Sequence, residues 1–207
     1  MAKIWGRNTS ANVQKVMWAL FELDLHFERV DVGGPFGGNR EPAYLEMNPN
    51  GLVPTLQEDD GFLLWESNTI VRYLAETYPG ALAPADARGK AVAAQWMDWE
   101  LSILSPGFRS YFWGMVRTAP EDRNVEAITA SLDTTTKAFE MVDGWLADSP
   151  YLAGDAFSYG DIPVAVHARR YRELAPQRPA LPNFERWYAD IEGRDGFQNR
   201  VLDIPIQ

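Results

Sequence analysis

The chain reads as an α/β domain followed by an all-helical one, and three features of its 207 residues predict this. Strand-like runs occur only before residue 66. Apolar residues beyond residue 90 recur at helical spacing, and a proline- and glycine-rich stretch with neither pattern lies between. The resulting boundaries are an α/β domain at 1–79, a linker at 80–89 and a helical domain at 90–207.

Residues 3–5 form a first strand, and 6–10 the loop that leaves it. Val13, Val16, Leu20 and Leu23 place a first helix over 11–23. Residues 25–32 alternate apolar and polar with a slip near Arg29, giving a second strand that the helical crossover makes parallel to the first. The glycine-dense 33–38 is a surface loop, and 42–47 a short helix. Strands at 53–57 and 62–65 make a hairpin around the acidic turn 58–61, and Ile70, Leu74 and Tyr78 lay a third helix on the sheet. This βαβαββα order is thioredoxin-like. Beyond the linker, 90–112 is one long helix kinked at Pro106-Gly107. Val125, Ile128, Leu132, Phe139, Val142 and Leu146 give the next helix one buried stripe. Ser158 and Asp161 have the form of a capping box before the apolar 162–166, with Phe157 as its hydrophobic staple, a form in which Asp161 serves the fold, although taken alone it could be mistaken for a catalytic acid. A further helix covers 184–191 after a proline-rich connection, and the end from Gly196 is too short to assign.

Composition excludes several classes. With 46% hydrophobic and 13% aromatic residues the chain can bury a core, which rules out a disordered protein. The absence of cysteine removes disulfides, thiolate metal sites and a cysteine nucleophile. His26 and His167 have no metal-ligand partner at short spacing, so no metal is expected. No apolar signal region opens the chain and no run approaches the ~18 residues of a membrane span, so a cytoplasmic location is expected. A net charge of −10 argues against nucleic acid or an anionic membrane as partner.

Two stretches carry chemistry. Pro54 precedes a short strand, and a cis bond there turns the Val53 backbone outward, free to pair with an extended peptide. Glu66 and Ser67 open the third helix, where free N–H groups favour a carboxylate while Glu66 can hold an ammonium. A ligand with an extended peptide middle and a zwitterionic end, such as glutathione, satisfies both. Taken singly, Pro54 is equally an ordinary strand-start proline and Ser67 an ordinary N-cap. The second stretch is the 7–12 loop, where Thr9, Ser10 and Asn12 can each donate a hydrogen bond to a thiolate at a helix start. Ser10 can also simply cap the first helix.

Val53-Pro54-Thr55-Leu56, the acidic turn, Glu66-Ser67 and the Ser158-to-Asp161 helix start together resemble the glutathione transferases. The resemblance implies a homodimer that binds and ionises glutathione for attack on an apolar electrophile. It assigns the sulfur contact to Ser10 first, then Asn12, with Thr9 in the same loop, and the peptide and γ-glutamyl contacts to Val53, Pro54, Glu66 and Ser67. Gly51 and Leu52 stand where several classes carry a basic or amide side chain for the glycine carboxylate, leaving Arg40, Asn50 or Asn39 for that end. The electrophile pocket is expected at Arg7 and, after the Pro106-Gly107 break, at Phe108, Tyr111 and Trp113. Glutathione-dependent disulfide or peroxide reduction and non-catalytic binding are the alternatives, because a fold does not dictate a function.

Overall fold

A computed structural model describes residues 2–207 and divides them into two compact units. The first comprises residues 2–83 together with Asp195–Pro205, and the second Pro84–Arg194 with Ile206–Gln207.

In the first unit, strands β1 (Ala2–Trp5), β2 (Phe27–Val30), β3 (Thr55–Gln57) and β4 (Leu63–Trp65) form one sheet in the order β2-β1-β3-β4. β1 runs parallel to β2 and antiparallel to β3, which pairs antiparallel with β4. Trp5, Thr55 and Trp65 lie side by side across the sheet. The end of β1, the start of β3 and the end of β4 thus meet at one sheet end. β3 begins at Thr55 rather than at 53 because Pro54 has no N–H to give to the ladder.

Helices α1 (Ala11–Glu22) and α3 (Ser67–Thr77) pack on the sheet over Ile4 and Leu56, with Val13, Val16, Leu20, Ile70, Val71 and Leu74 buried. The short α2 (Pro42–Met47) stands between β2 and β3, as expected from its sequence. Glu58 in the hairpin turn accepts the hydroxyls of Tyr73 at 2.9 Å and Tyr78 at 2.7 Å, tying the turn to α3. That carboxylate pushes the Tyr78 hydroxyl up to about 12.

The expected helical domain over 90–207 is corrected at its far end. Residues Asp195–Pro205 belong to the first unit, where Phe197 lies 4.9 Å from the Trp18 ring and covers the α1 face turned from the sheet. This explains why α1 is buried continuously from Val13 to Leu20, more than a one-sided helix requires.

The second unit is helical: α4 (Ala87–Trp99), α5 (Ser105–Val116), α6 (Val125–Trp145), α7 (Asp161–Leu174) and α8 (Pro182–Glu192). Asp86 caps α4 through the N–H groups of Arg88 and Gly89, so a helix begins inside the expected linker. The break in the long helix falls at a π-helical turn over Glu100–Leu104, not at Pro106-Gly107, which lies in the first turn of α5. Pro106 cannot donate to the carbonyl four residues back, and the ladder widens just before it, with Ser105 N–H reaching Glu100 O. Val125 does not belong to the α6 stripe, being 70% exposed at the helix start. α7 is the centre of the unit, with residues 161–171 all buried. The Phe139 ring stacks on Tyr171 at 4.6 Å and meets Phe184 at 5.1 Å.

Asp161 is fully buried. It accepts from the N–H groups of Leu152 at 3.0 Å and Ser158 at 2.9 Å, and from Trp187 Nε1 at 2.9 Å. The Ser158 bond is the return half of a capping box, and with the others it joins the 150s loop, α7 and α8. Burial pushes this carboxyl up to about 6 against those bonds.

Candidate active site

The shared sheet end collects the expected residues of the first unit. Three loops meet there: 6–10 leaving β1, 48–54 entering β3, and Glu66 between β4 and α3. Gly6 and Val53 touch, since a Cβ on Gly6 would stand 3.1 Å from Val53 Cβ and 2.5 Å from Val13 Cγ2. Gly6 has φ +154 and no room for a side chain.

The Val53–Pro54 bond is cis, and among the described residues the Val53 N–H and C=O make no hydrogen bond. The loop around them is held firmly. Tyr44 Oη donates to Leu52 O at 2.6 Å and lies 2.9 Å from Thr55 Oγ1, while Asn48 Nδ2 donates to the same Leu52 carbonyl at 2.9 Å. Asn39 Nδ2 donates to Gly51 O at 2.8 Å. Burial raises the Tyr44 hydroxyl above its ordinary range, so it stays a donor. The result is a braced edge that presents the unpaired N–H and C=O of Val53.

Two helix starts face this end without a side-chain cap. Ser10 occupies the N-cap of α1, and its carbonyl accepts the Gln14 N–H at 2.9 Å. Its hydroxyl makes no capping bond. Glu66 occupies the N-cap of α3 with φ +71 and likewise makes no side-chain capping bond to the first turn. Neither first turn carries an acidic side chain, so both present the positive end of the helix dipole to an anion. Ser67 is buried, Glu66 and Asn12 are exposed, and Thr9 and Ser10 are half-buried.

The remaining expected residues divide. Arg40 donates from Nη1 to Asn50 O at 3.2 Å, and Asn50 is folded back onto Asn48 Oδ1 through its own N–H at 3.1 Å. Both therefore brace the loop before Val53. The Arg7 side chain lies over Gly34, whose Cβ position is 2.9 Å from Arg7 Cδ. In the second unit Phe108 and Tyr111 are buried, and Tyr111 donates its hydroxyl to Leu174 O at 2.6 Å, so both pack the helical core. Trp113 is 47% exposed, with Arg117 4.8 Å from its ring.

The clamp escaped the sequence reading, which named Asn39 only as a candidate for the glycine end and did not single out Tyr44 or Asn48. Only the Asn48-Pro49-Asn50-Gly51 turn signal hinted at it. Among the described residues no group of three or more His, Asp or Glu side chains could hold a metal ion. Nor is any helix long and apolar enough to cross a membrane.

Residues 9–77 match the glutathione S-transferase N-terminal domain and residues 96–195 the glutathione S-transferase C-terminal domain. The chain is 40% identical over 208 residues to glutathione S-transferase GstB of Escherichia coli, covering 100% of both. It is 31% identical to glutathione S-transferase 3 of Zea mays, covering 99% of this chain and 95% of that one. A crystal structure of the theta class glutathione S-transferase from Xanthomonas axonopodis pv. citri with glutathione bound superposes with a TM-score of 0.95 at 41% identity, over 100% and 99% of the two chains. With both domains matched in order and a curated relative aligned end to end, the chain belongs to the glutathione S-transferase family.

Proposed function

We propose that this glutathione transferase binds glutathione along the Val53 edge and ionises its thiol at Ser10. The cysteinyl peptide group pairs with the N–H and C=O of Val53. The γ-glutamyl carboxylate takes the first-turn N–H groups and hydroxyl of Ser67, and its ammonium meets Glu66. Arg40 and Asn50 lie toward the glycine end. The observation that carries this reading is Ser10 itself, an N-cap residue whose hydroxyl is not spent on its own helix.

At the reacting centre the Ser10 hydroxyl donates to the sulfur, with Asn12 and Thr9 as neighbouring donors. A charge-assisted bond of this kind contributes about 1.5–3 kcal/mol, which lowers a thiol pKa by about one to two units. The thiol proton leaves to solvent, the thiolate forms a C–S bond at the electrophilic carbon of an apolar co-substrate, and the leaving group departs with its electron pair. Arg7 is the accessible residue of the 6–10 loop proposed to meet that co-substrate, whereas Phe108 and Tyr111 support the helix that carries Trp113. A cytoplasmic homodimer completes the proposal.

Turnover of an electrophilic aryl halide and of a mixed disulfide, measured on one preparation with glutathione, tests the reaction type. Conjugation of the halide with little disulfide reduction is the expected outcome. Disulfide reduction alone would reassign the enzyme to thiol–disulfide chemistry, and neither activity with glutathione still bound would make it a binding protein.

A further inference from the structure

The structure assigns Lys15 a role as a positioning residue for the γ-glutamyl end of glutathione, an inference that rests on the reading above. Lys15 lies in α1 and is only 1% exposed. Its Nζ donates to Asn68 Oδ1 at 3.3 Å, in the first turn of α3. Gln14 beside it, and Ser67 and Asn68 opposite, are buried as well. Lysine is rarely buried to this degree, because its long stem ordinarily carries the ammonium out to water and removing the charge from water is costly.

Asn68 directly follows Ser67 and stands two residues after Glu66, so the bond from Lys15 reaches the very turn that is to hold the zwitterion. That turn lacks a cap of its own, and Glu66 sits in the left-handed region, which a non-glycine residue keeps only where its surroundings impose it. The Lys15 bond ties α1 to the first turn of α3 and fixes the Asn68 amide with its carbonyl toward α1. It also sets a positive charge behind a helix start that already favours an anion, in a dry environment where charge acts more strongly than at a surface. Lys15 therefore acts through Asn68 and the α3 turn rather than by touching glutathione.

The role separates from general packing by the ligand it affects. Dissociation constants for glutathione and for cysteinylglycine, which lacks the γ-glutamyl group, are to be measured by calorimetry on the full chain and its Lys15→Met, Lys15→Gln and Asn68→Ala variants. Lys15→Met is expected to weaken glutathione about tenfold while cysteinylglycine stays within about twofold. The turnover number at saturating glutathione should hold, and Lys15→Gln, a donor without charge, should recover part of the loss. Combining Lys15→Met with Asn68→Ala should cost less than the sum of the two single losses, because both break the bond the residues share. If Lys15→Met does not fold, Asn68→Ala carries the same pair of expectations. Unchanged glutathione affinity in a folded variant, or an equal loss for both thiols, overturns the positioning role. A native chain that does not bind glutathione overturns the reading beneath it instead.

Discussion

Ser10 uses its backbone to start α1 and leaves its hydroxyl outside the cap, while Ser67 is buried at the start of α3, and the proposed binding mode gives the first the sulfur and the second the γ-glutamyl end. Ser67→Ala should weaken glutathione by about 1–2 kcal/mol, roughly tenfold in a calorimetric titration, with the bound thiol's pKa unmoved. Asp161 is a different kind of residue, a buried acid that serves the fold. Its folded pKa of about 6 lies above the 3.8 of a free aspartate. Its contribution to stability is therefore fully present only below about pH 4, and is lost as pH rises through about 6. Between pH 7 and pH 5 the native protein should regain about 1 kcal/mol from this group, an increment that Asp161→Asn should lack. Urea unfolding of both proteins at the two pH values checks the difference, and equal increments would show that Asp161 is not the titrating group.

At the scale of elements, the close packing of α4 and α7 is tested at Gly160. A Cβ there would stand 2.8 Å from Ala93 Cα and 3.0 Å from Ala93 O, backbone atoms that cannot rotate aside. Its φ of −66 suits any residue, so Gly160→Ala is a test of space alone, and should destabilise by about 1–3 kcal/mol in chemical denaturation. Glu58→Ala removes the acceptor shared by Tyr73 and Tyr78, and should cost about 1 kcal/mol, since both hydroxyls can still reach water. Element types were legible in the sequence wherever the signal was local: the hairpin from its acidic turn, α2 from its proline start, α7 from the Ser158-to-Asp161 spacing. The π-helical turn over Glu100–Leu104 was not, because the hydrogen-bond ladder absorbs Pro106 upstream of the proline rather than at it. The burial of Lys15 was equally hidden, for a lysine in an amphipathic pattern marks the solvent face.

At the scale of the molecule, the two-part order of the chain was visible from where strand-like runs stop, and the sheet end proposed to bind glutathione was suggested by Val53-Pro54 and Glu66-Ser67. The return of Asp195–Pro205 to α1 was not, since a contact such as Trp18 with Phe197 joins segments from opposite ends of the chain and leaves no periodic trace. Homodimer formation is expected from the family, and light scattering at micromolar concentration should give twice the 23.3 kDa chain mass. A monomer at that concentration would remove the dimer without touching the site. Thiol activation is tested most directly by following thiolate absorbance of bound glutathione against pH in the native protein and in Ser10→Ala. The bound thiol should titrate about one to two units higher in Ser10→Ala, with affinity for glutathione nearly unchanged. An unmoved pKa in Ser10→Ala, above all with a shift in Asn12→Ala, would contradict the assignment and pass the role of activating donor to Asn12.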